Sequence, residues 1–272
     1  MHDLPLVIFT ILSQLVVGGF ITLWWLDRKK KNISRKSGLI ISGSLVIIGG
    51  ISVLVSLLHL GQPFAAYRAI LNFFVSWLSR EITFYGFFIA LAALYTWFWY
   101  KEDADKRNIV GWIASILGVI AIFSSAKIYM IPSYPAWNSV STMFIFFLTS
   151  VLLGPLFVGL VLAARKELTV NLSLVSIVGM IVAAIVMVVY FSTLQGGLPQ
   201  AVDTATLTLT NYLFWIRIAT FIIAFVLLAY AVKKPNLQNL TFYSSTFAIL
   251  LVSEFIARLQ FYITAVHLTV PF

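Results

Sequence analysis

The chain has 272 residues, of which 61% are hydrophobic and 10% charged, with a mean hydropathy of +1.01 and a formal net charge of +9. A soluble domain carries roughly a quarter charged residues and needs them on its exterior, so lipid is the solvent for most of this surface. Cysteine is absent, which excludes disulfides, thiolate catalysis and Cys-ligated iron–sulfur clusters.

A helix needs about 20 mostly apolar residues to cross the hydrocarbon. Eight stretches qualify: 5–26, 38–58, 81–100, 108–130, 141–164, 170–194, 211–232 and 241–267. Strands of a membrane barrel would be about 10 residues long with alternating polarity; these runs are longer and apolar all round. The first is not expected to be a cleavable signal, because its charge follows it rather than precedes it. The expected fold is therefore all-α and integral to the membrane, an eight-helix bundle forming one membrane domain over 1–272, with no repeat and no linker.

Between the first two stretches lie Arg28, Lys29, Lys30, Lys31, Arg35 and Lys36. Lys101, Lys106 and Arg107 follow the third stretch, Arg165 and Lys166 the fifth, and Lys233 and Lys234 the seventh. Thirteen of the 18 basic residues thus share one side. Positive charge stays cytoplasmic, which places both termini on the outer, periplasmic side of a bacterial inner membrane. The same distribution accounts for the +9 charge without nucleic acid. Trp24, Trp25, Trp97, Trp99 and Trp112 fall at inner ends, and Trp77, Trp137 and Trp215 at or near outer ends. That is the pattern of two interfacial belts. The connection 61–79 carries Phe64, Tyr67, Ile70, Leu71, Phe74 and Leu78 at helical spacing, as an amphipathic helix on the outer surface does. Its plain role is anchoring; its functional one would be to roof a site or meet a partner. Pro132, Pro135 and Trp137 stiffen the outer loop 131–140.

Ionisable residues inside a span are costly and so are candidates for function. His59 ends the second stretch, and Arg80 and Glu81 open the third. Lys127 and Tyr129 lie near the outer end of the fourth. Arg217 sits two turns into the seventh, and Glu254 and Arg258 stand four apart on the eighth. All three histidines map outside, and the inner half has no comparable set. A transmembrane haem relay needs ligands at two depths, which leaves at most one outer haem, on His59 and His267. Each residue also has a structural reading. Glu254 and Arg258 have the spacing of a helical ion pair. Glu81, two residues after the capping serine Ser79, suits a helix dipole. His59 could rest at the interface, and Lys127 and Arg217 could reach for headgroups. Their convergence on one face favours function. A quinol arrives from lipid and, on oxidation, releases two electrons and two protons. Imidazole and a carboxylate in an apolar setting suit the protons, and His59 with Glu81 supplies both at the lipid–water boundary. With no metal or cluster motif here, the electrons pass to a neighbouring subunit.

The segments HDLPLVIFT, SLLHLGQPFAAYRAILNFFVSWLSREI, AKIYMIPSYPAWNS, FFLTSVLLGPL and EFIARLQFY together resemble the membrane anchor subunit of bacterial dimethyl sulfoxide reductase, from end to end. The resemblance implies an eight-helix anchor without haem that oxidises menaquinol. It also implies two partners, an iron–sulfur electron-transfer subunit and a molybdopterin catalytic subunit. It places the family's quinol-site histidine at His59 and its acidic residue at Glu81, with Arg80, Lys127, Tyr129, Arg217, Glu254 and Arg258 as further quinol-binding candidates. Lys127 departs from the family's arginine, keeping the charge but losing the planar fork. Two alternatives stand beside this reading. One is the anchor of a related polysulfide or nitrite reductase complex. The other is a small-solute transporter, against which the lack of repeats and of mid-span breaks other than Gly154-Pro155 counts.

Overall fold

The computed structural model describes residues 4–29, 33–57, 71–234 and 238–268. His2, His59, Arg68 and most of the expected amphipathic segment lie outside the described residues. Among the described residues the chain is all-helical, with nine helices and no strand. These are α1 (Leu4–Arg28), α2 (Arg35–Leu57), α3 (Trp77–Lys101), α4 (Ala104–Tyr129), α5 (Val140–Ala164), α6 (Ser173–Gln195), α7 (Pro199–Thr210), α8 (Tyr212–Lys233) and α9 (Leu240–Ile263). All but α7 are long and apolar enough to span a bilayer.

Helices α3 and α4 start four residues before their apolar stretches because polar caps sit beyond the hydrocarbon. The third span starts at Trp77, four residues before Glu81, and its cap is Ser76, whose side chain accepts from the Ser79 amide. The expectation of Ser79 as cap with Glu81 in the first turn is therefore corrected: Glu81 lies a full turn inside the helix. Asp103, Ser139, Asn211 and Asn239 cap α4, α5, α8 and α9 in the same way. The eighth span ends at Ile263, short of His267. Helix α7 has no counterpart among the expected elements. Its run of threonines has low helix propensity, but Pro199 starts the helix. The hydroxyls of Thr204, Thr206, Thr208 and Thr210 each turn back to the carbonyl four residues earlier.

Helices α1 and α5 form the centre. α1 packs on α2, α4, α5 and α9, while α5 also meets α6 and α9. They touch backbone to backbone. A methyl group on Gly18 would fall on the Ser150 carbonyl, and one on Gly154 would fall on the Gly18 backbone. Between membrane helices such close approach replaces the hydrophobic effect as a source of packing energy. Gly154-Pro155 is thus a contact point between helices within a continuous α5. Helices α6 and α8 are the least enclosed of the eight long helices.

The end opposite the two termini, the basic face, is more than a topology signal. Arg107 grips Asp27 through two bonds of 2.7 Å and lies 3.8 Å over the Trp99 ring. Tyr95 donates to the same carboxylate at 2.9 Å. Ser34 donates to Glu167 through both its amide and its hydroxyl, and Arg165 stands 3.9 Å from that carboxylate. Burial works to raise the Glu167 carboxyl, but bonds from Ser37 and Ser34 hold it below the usual carboxylate range. These residues lie at the ends of the apolar stretches and in the loops between them, and the structure links them. Asp27 is concealed in the sequence among six basic neighbours, and its partners lie 68 and 80 positions away.

Candidate functional site

The opposite end, the terminal face, gathers most of the candidate residues, and the structure sorts them into a rim and an interior. On the rim, Arg80 donates to the carbonyls of Phe73 and Phe74 at 3.0 and 2.7 Å and covers Trp77 at 4.2 Å. Lys127 lies over the same ring at 5.8 Å. Arg80 thereby closes the turn that leads into α3, whose Leu71, Phe74 and Val75 are exposed. Neither cation reaches the interior cavities. His267 is exposed at the surface, edge-on to Tyr134 at 4.9 Å.

In the interior, Glu81 is only 6% exposed. It borders a void of about 10 Å³, shared with Phe9, Ser13, Gln14, Tyr85 and Ser125. About one water needs that much room. Glu81 lies four residues into α3, or about 6 Å below its start, and α1 and α4 close over it. Tyr85 holds the α2 side through a 2.9 Å bond with Ser52.

Beside this pocket stands an aromatic cluster. The Tyr262 hydroxyl donates to Tyr129 at 2.7 Å. Tyr129 also meets Trp137, Phe146 and Phe261. Trp137 stacks on both Tyr134 and Phe261 and donates its ring N–H to the Phe261 carbonyl at 2.8 Å. The loop 131–139 is thus clamped to the end of α9, and Leu268 adds a backbone bond to Ser133.

Glu254 and Arg258 do not form the direct ion pair that their spacing suggests. Thr149 stands between them, donating to Glu254 at 2.7 Å and accepting from Arg258 at 3.3 Å. Arg258 turns the same nitrogen to Gln14 Oε1 at 2.8 Å and lies 3.9 Å over Phe146. With Arg217, Glu254 and Arg258 border a second cavity of about 60 Å³, between α5, α6, α7, α8 and α9. That is under half the roughly 150 Å³ that holds a benzene, but room for several waters. Gln14 lines the first cavity and binds the arginine that borders the second.

Gln14, Thr149, Tyr262 and Tyr85 belong to this site, and sequence reasoning missed them. A signal was present for Gln14. Thr10, Ser13 and Gln14 fall at i, i+3 and i+4 on an otherwise apolar span, which is one polar stripe. Among the described residues, no group of three or more His, Cys, Asp or Glu is placed to hold a metal.

Residues 1–263 match a family model described as DMSO reductase anchor subunit (DmsC). The protein is 30% identical to the anaerobic dimethyl sulfoxide reductase subunit YnfH of Escherichia coli over 197 positions, covering 69% of its own length and 68% of that relative. It is 29% identical to the C subunit of anaerobic dimethyl sulfoxide reductase from Escherichia coli and 27% identical to the C subunit from Haemophilus influenzae. Each of these two alignments covers 99% of this protein and 96% of the relative.

Proposed function

The chain belongs to the dimethyl sulfoxide reductase anchor-subunit family, and from that premise we propose that it oxidises menaquinol at its terminal face and passes the electrons to an iron–sulfur partner. As an anchor subunit it is a multi-pass membrane protein that works with catalytic and electron-transfer partner subunits. In this reading the terminal face is periplasmic, a molybdopterin subunit reduces the terminal acceptor, and the membrane is the bacterial inner membrane. The grouping of basic residues at the opposite end supports that orientation.

The observation that carries the proposal is the burial of Glu81, one turn inside α3, beside a water-sized void and with no ion pair to it among the described residues. A carboxylate placed there costs several kcal/mol, a cost that a proton acceptor repays in function. His59 is the second acceptor and takes the other proton directly or through one water. Replacing it with Arg is expected to abolish quinol-dependent turnover of the purified complex. Turnover driven by a soluble viologen, which bypasses this subunit, should stay at the wild-type level. Unchanged quinol oxidation would remove His59 from the mechanism.

Two further outcomes are expected. The reduced-minus-oxidised spectrum of the purified anchor should lack a b-type α band; a stoichiometric band would restore the haem reading of His59 and His267. Crosslinks from the intact complex to its partners should fall in 61–79 and 131–140. The clamped loop 131–139, with Tyr134 stacked on Trp137, supplies a firm ledge there. Crosslinks confined to 28–37 would invert the orientation.

A further inference from the structure

We propose that the cavity bordered by Arg217, Glu254 and Arg258 binds a small monovalent anion of halide size, which ties α8 to α9. The proposal goes beyond the quinol reading and does not depend on it.

The cavity lies within a ring of four helices. α5 packs on α6 and on α9, and α8 packs on the same two. At its terminal end Thr208 of α7 meets Thr264 at 2.7 Å. The lining from α5 and α6 carries no charged side chain, and α8 contributes Arg217 alone among the described residues. α9 turns Glu254, Arg258, Phe261 and Thr264 towards it, positions that share one helix face.

Two guanidiniums and one carboxylate leave one positive charge unbalanced, since arginine keeps its proton. None of the ion pairs among the described residues includes any of the three. An unbalanced charge enclosed among spanning helices costs several kcal/mol unless an opposite charge sits beside it. The hydrogen-bond count points the same way. Arg258 spends Nη2 on Gln14 and Thr149, but its Nη1 has no partner among the described atoms, and neither has Nε2 of Gln260. Both side chains border the cavity and are 2% exposed. Buried donors ordinarily find acceptors. The hydroxyls nearby are already engaged: Thr208 donates to the Thr204 carbonyl, Thr264 to the Gln260 carbonyl and Thr149 to Glu254. The missing partner is therefore an acceptor that carries negative charge.

Size narrows the class. A halide is little larger than a water molecule, and about 60 Å³ holds it with water beside it. That water supplies the donor that Gln260 Oε1, also without a partner, needs. The ring of a naphthoquinol is too large, since benzene alone occupies a cavity of roughly 150 Å³. A phospholipid headgroup at the surface does not reach donors buried this deeply. The bound anion faces Arg217 on α8 and Arg258 and Gln260 on α9. It thus fastens one of the two least enclosed long helices to the bundle.

The test uses the full chain in a neutral detergent, unfolded by heat while chloride or bromide replaces gluconate at constant ionic strength. Gluconate is too large for the cavity. A ligand held only by the folded state raises the midpoint with the logarithm of its concentration. We expect a rise of about 3 °C or more across a roughly hundredfold range of chloride or bromide. Arg217→Gln should abolish that rise. Glu254→Gln removes the one negative charge and should shift the rise to chloride concentrations at least roughly tenfold lower. Neither a surface salt effect nor a scaffold role moves the two variants in opposite directions. If Arg217→Gln yields no folded protein, equilibrium dialysis against radioactive chloride carries the test, with about one ion per chain expected and tighter retention by Glu254→Gln. Equal midpoints in chloride and gluconate overturn the proposal, and so does a chloride response that Arg217→Gln leaves intact or Glu254→Gln weakens. A midpoint that answers to a short-chain phosphatidylglycerol and not to chloride gives the site to a lipid phosphate and overturns it as well.

Discussion

Glu81→Gln is expected to lower quinol-driven turnover at least 100-fold, while viologen-driven turnover of the same complex stays unchanged. General acid–base groups contribute about 100- to 10,000-fold, and a neutral amide of the same size cannot take a proton. The structure argues against the competing explanation of lost assembly. Ser76 caps α3, so the glutamine costs the helix no cap, and the side chain borders a small void and makes no ion pair among the described residues. Burying an amide in place of a carboxylate should leave the folded protein as stable or more so, since the charged form is the costly one in this position. Glu81→Asp should fall between, because a shorter side chain withdraws the carboxylate from the space it shares with Gln14. Parallel loss of both activities would show that Glu81 holds the complex together instead.

The second large effect is expected far from any ionisable group. Gly18→Val should prevent recovery of folded, monodisperse protein from detergent, or lower its stability by about 3 kcal/mol or more, beyond the usual cost of overpacking. The added side chain would meet the backbone of Ser150, which no rotamer change can move aside. Gly154→Ala, on the other side of the same crossing, should act in the same direction. Gly43, Gly50 and Gly86 provide the contrast, since a methyl group at each meets nothing within 4 Å. There alanine should be neutral or stabilising by up to about 1 kcal/mol, the difference in helix propensity. Thermal unfolding of the purified variants separates the two classes. Equal effects at Gly18 and Gly43 would mean that the α1–α5 contact does not govern stability.

The spans were legible because hydrophobic length is a strong and local signal; α7 was not, because threonine hydroxyls satisfied by their own helix leave no apolar run to read. The concentration of ionisable groups at the terminal face could likewise be read from position alone. What each group binds could not. Arg80 and Glu81 are adjacent in sequence, yet one closes a surface turn and the other borders an interior void, because neighbours on a helix point about 100° apart. Glu254 and Arg258 have ideal pairing distance on paper, but Thr149, 105 and 109 positions away, separates them. Asp27 was outweighed by the lysines around it. For Asp27 and for Glu254 and Arg258 the deciding partner came from a helix far along the sequence, where spacing carries no information.

The central position of α1 also bears on how the protein is made. This helix leaves the ribosome before the helices that come to surround it, and its Thr10–Ser13–Gln14 stripe faces inward only once they have arrived. Gln14 meets Arg258, its hydrogen-bond partner, 244 positions later. At about 5–20 residues per second that is roughly 12–50 s of synthesis, during which an amide sits in a membrane with its counterpart still untranslated. Arg258 has the converse difficulty: it enters the bilayer on α9, while its hydrogen-bond acceptors Gln14 and Thr149 stand on α1 and α5. The bundle therefore has an order of closure written into it, with α1 held in waiting and α9 admitted after the other spans, into a slot whose polar lining is complete before it comes.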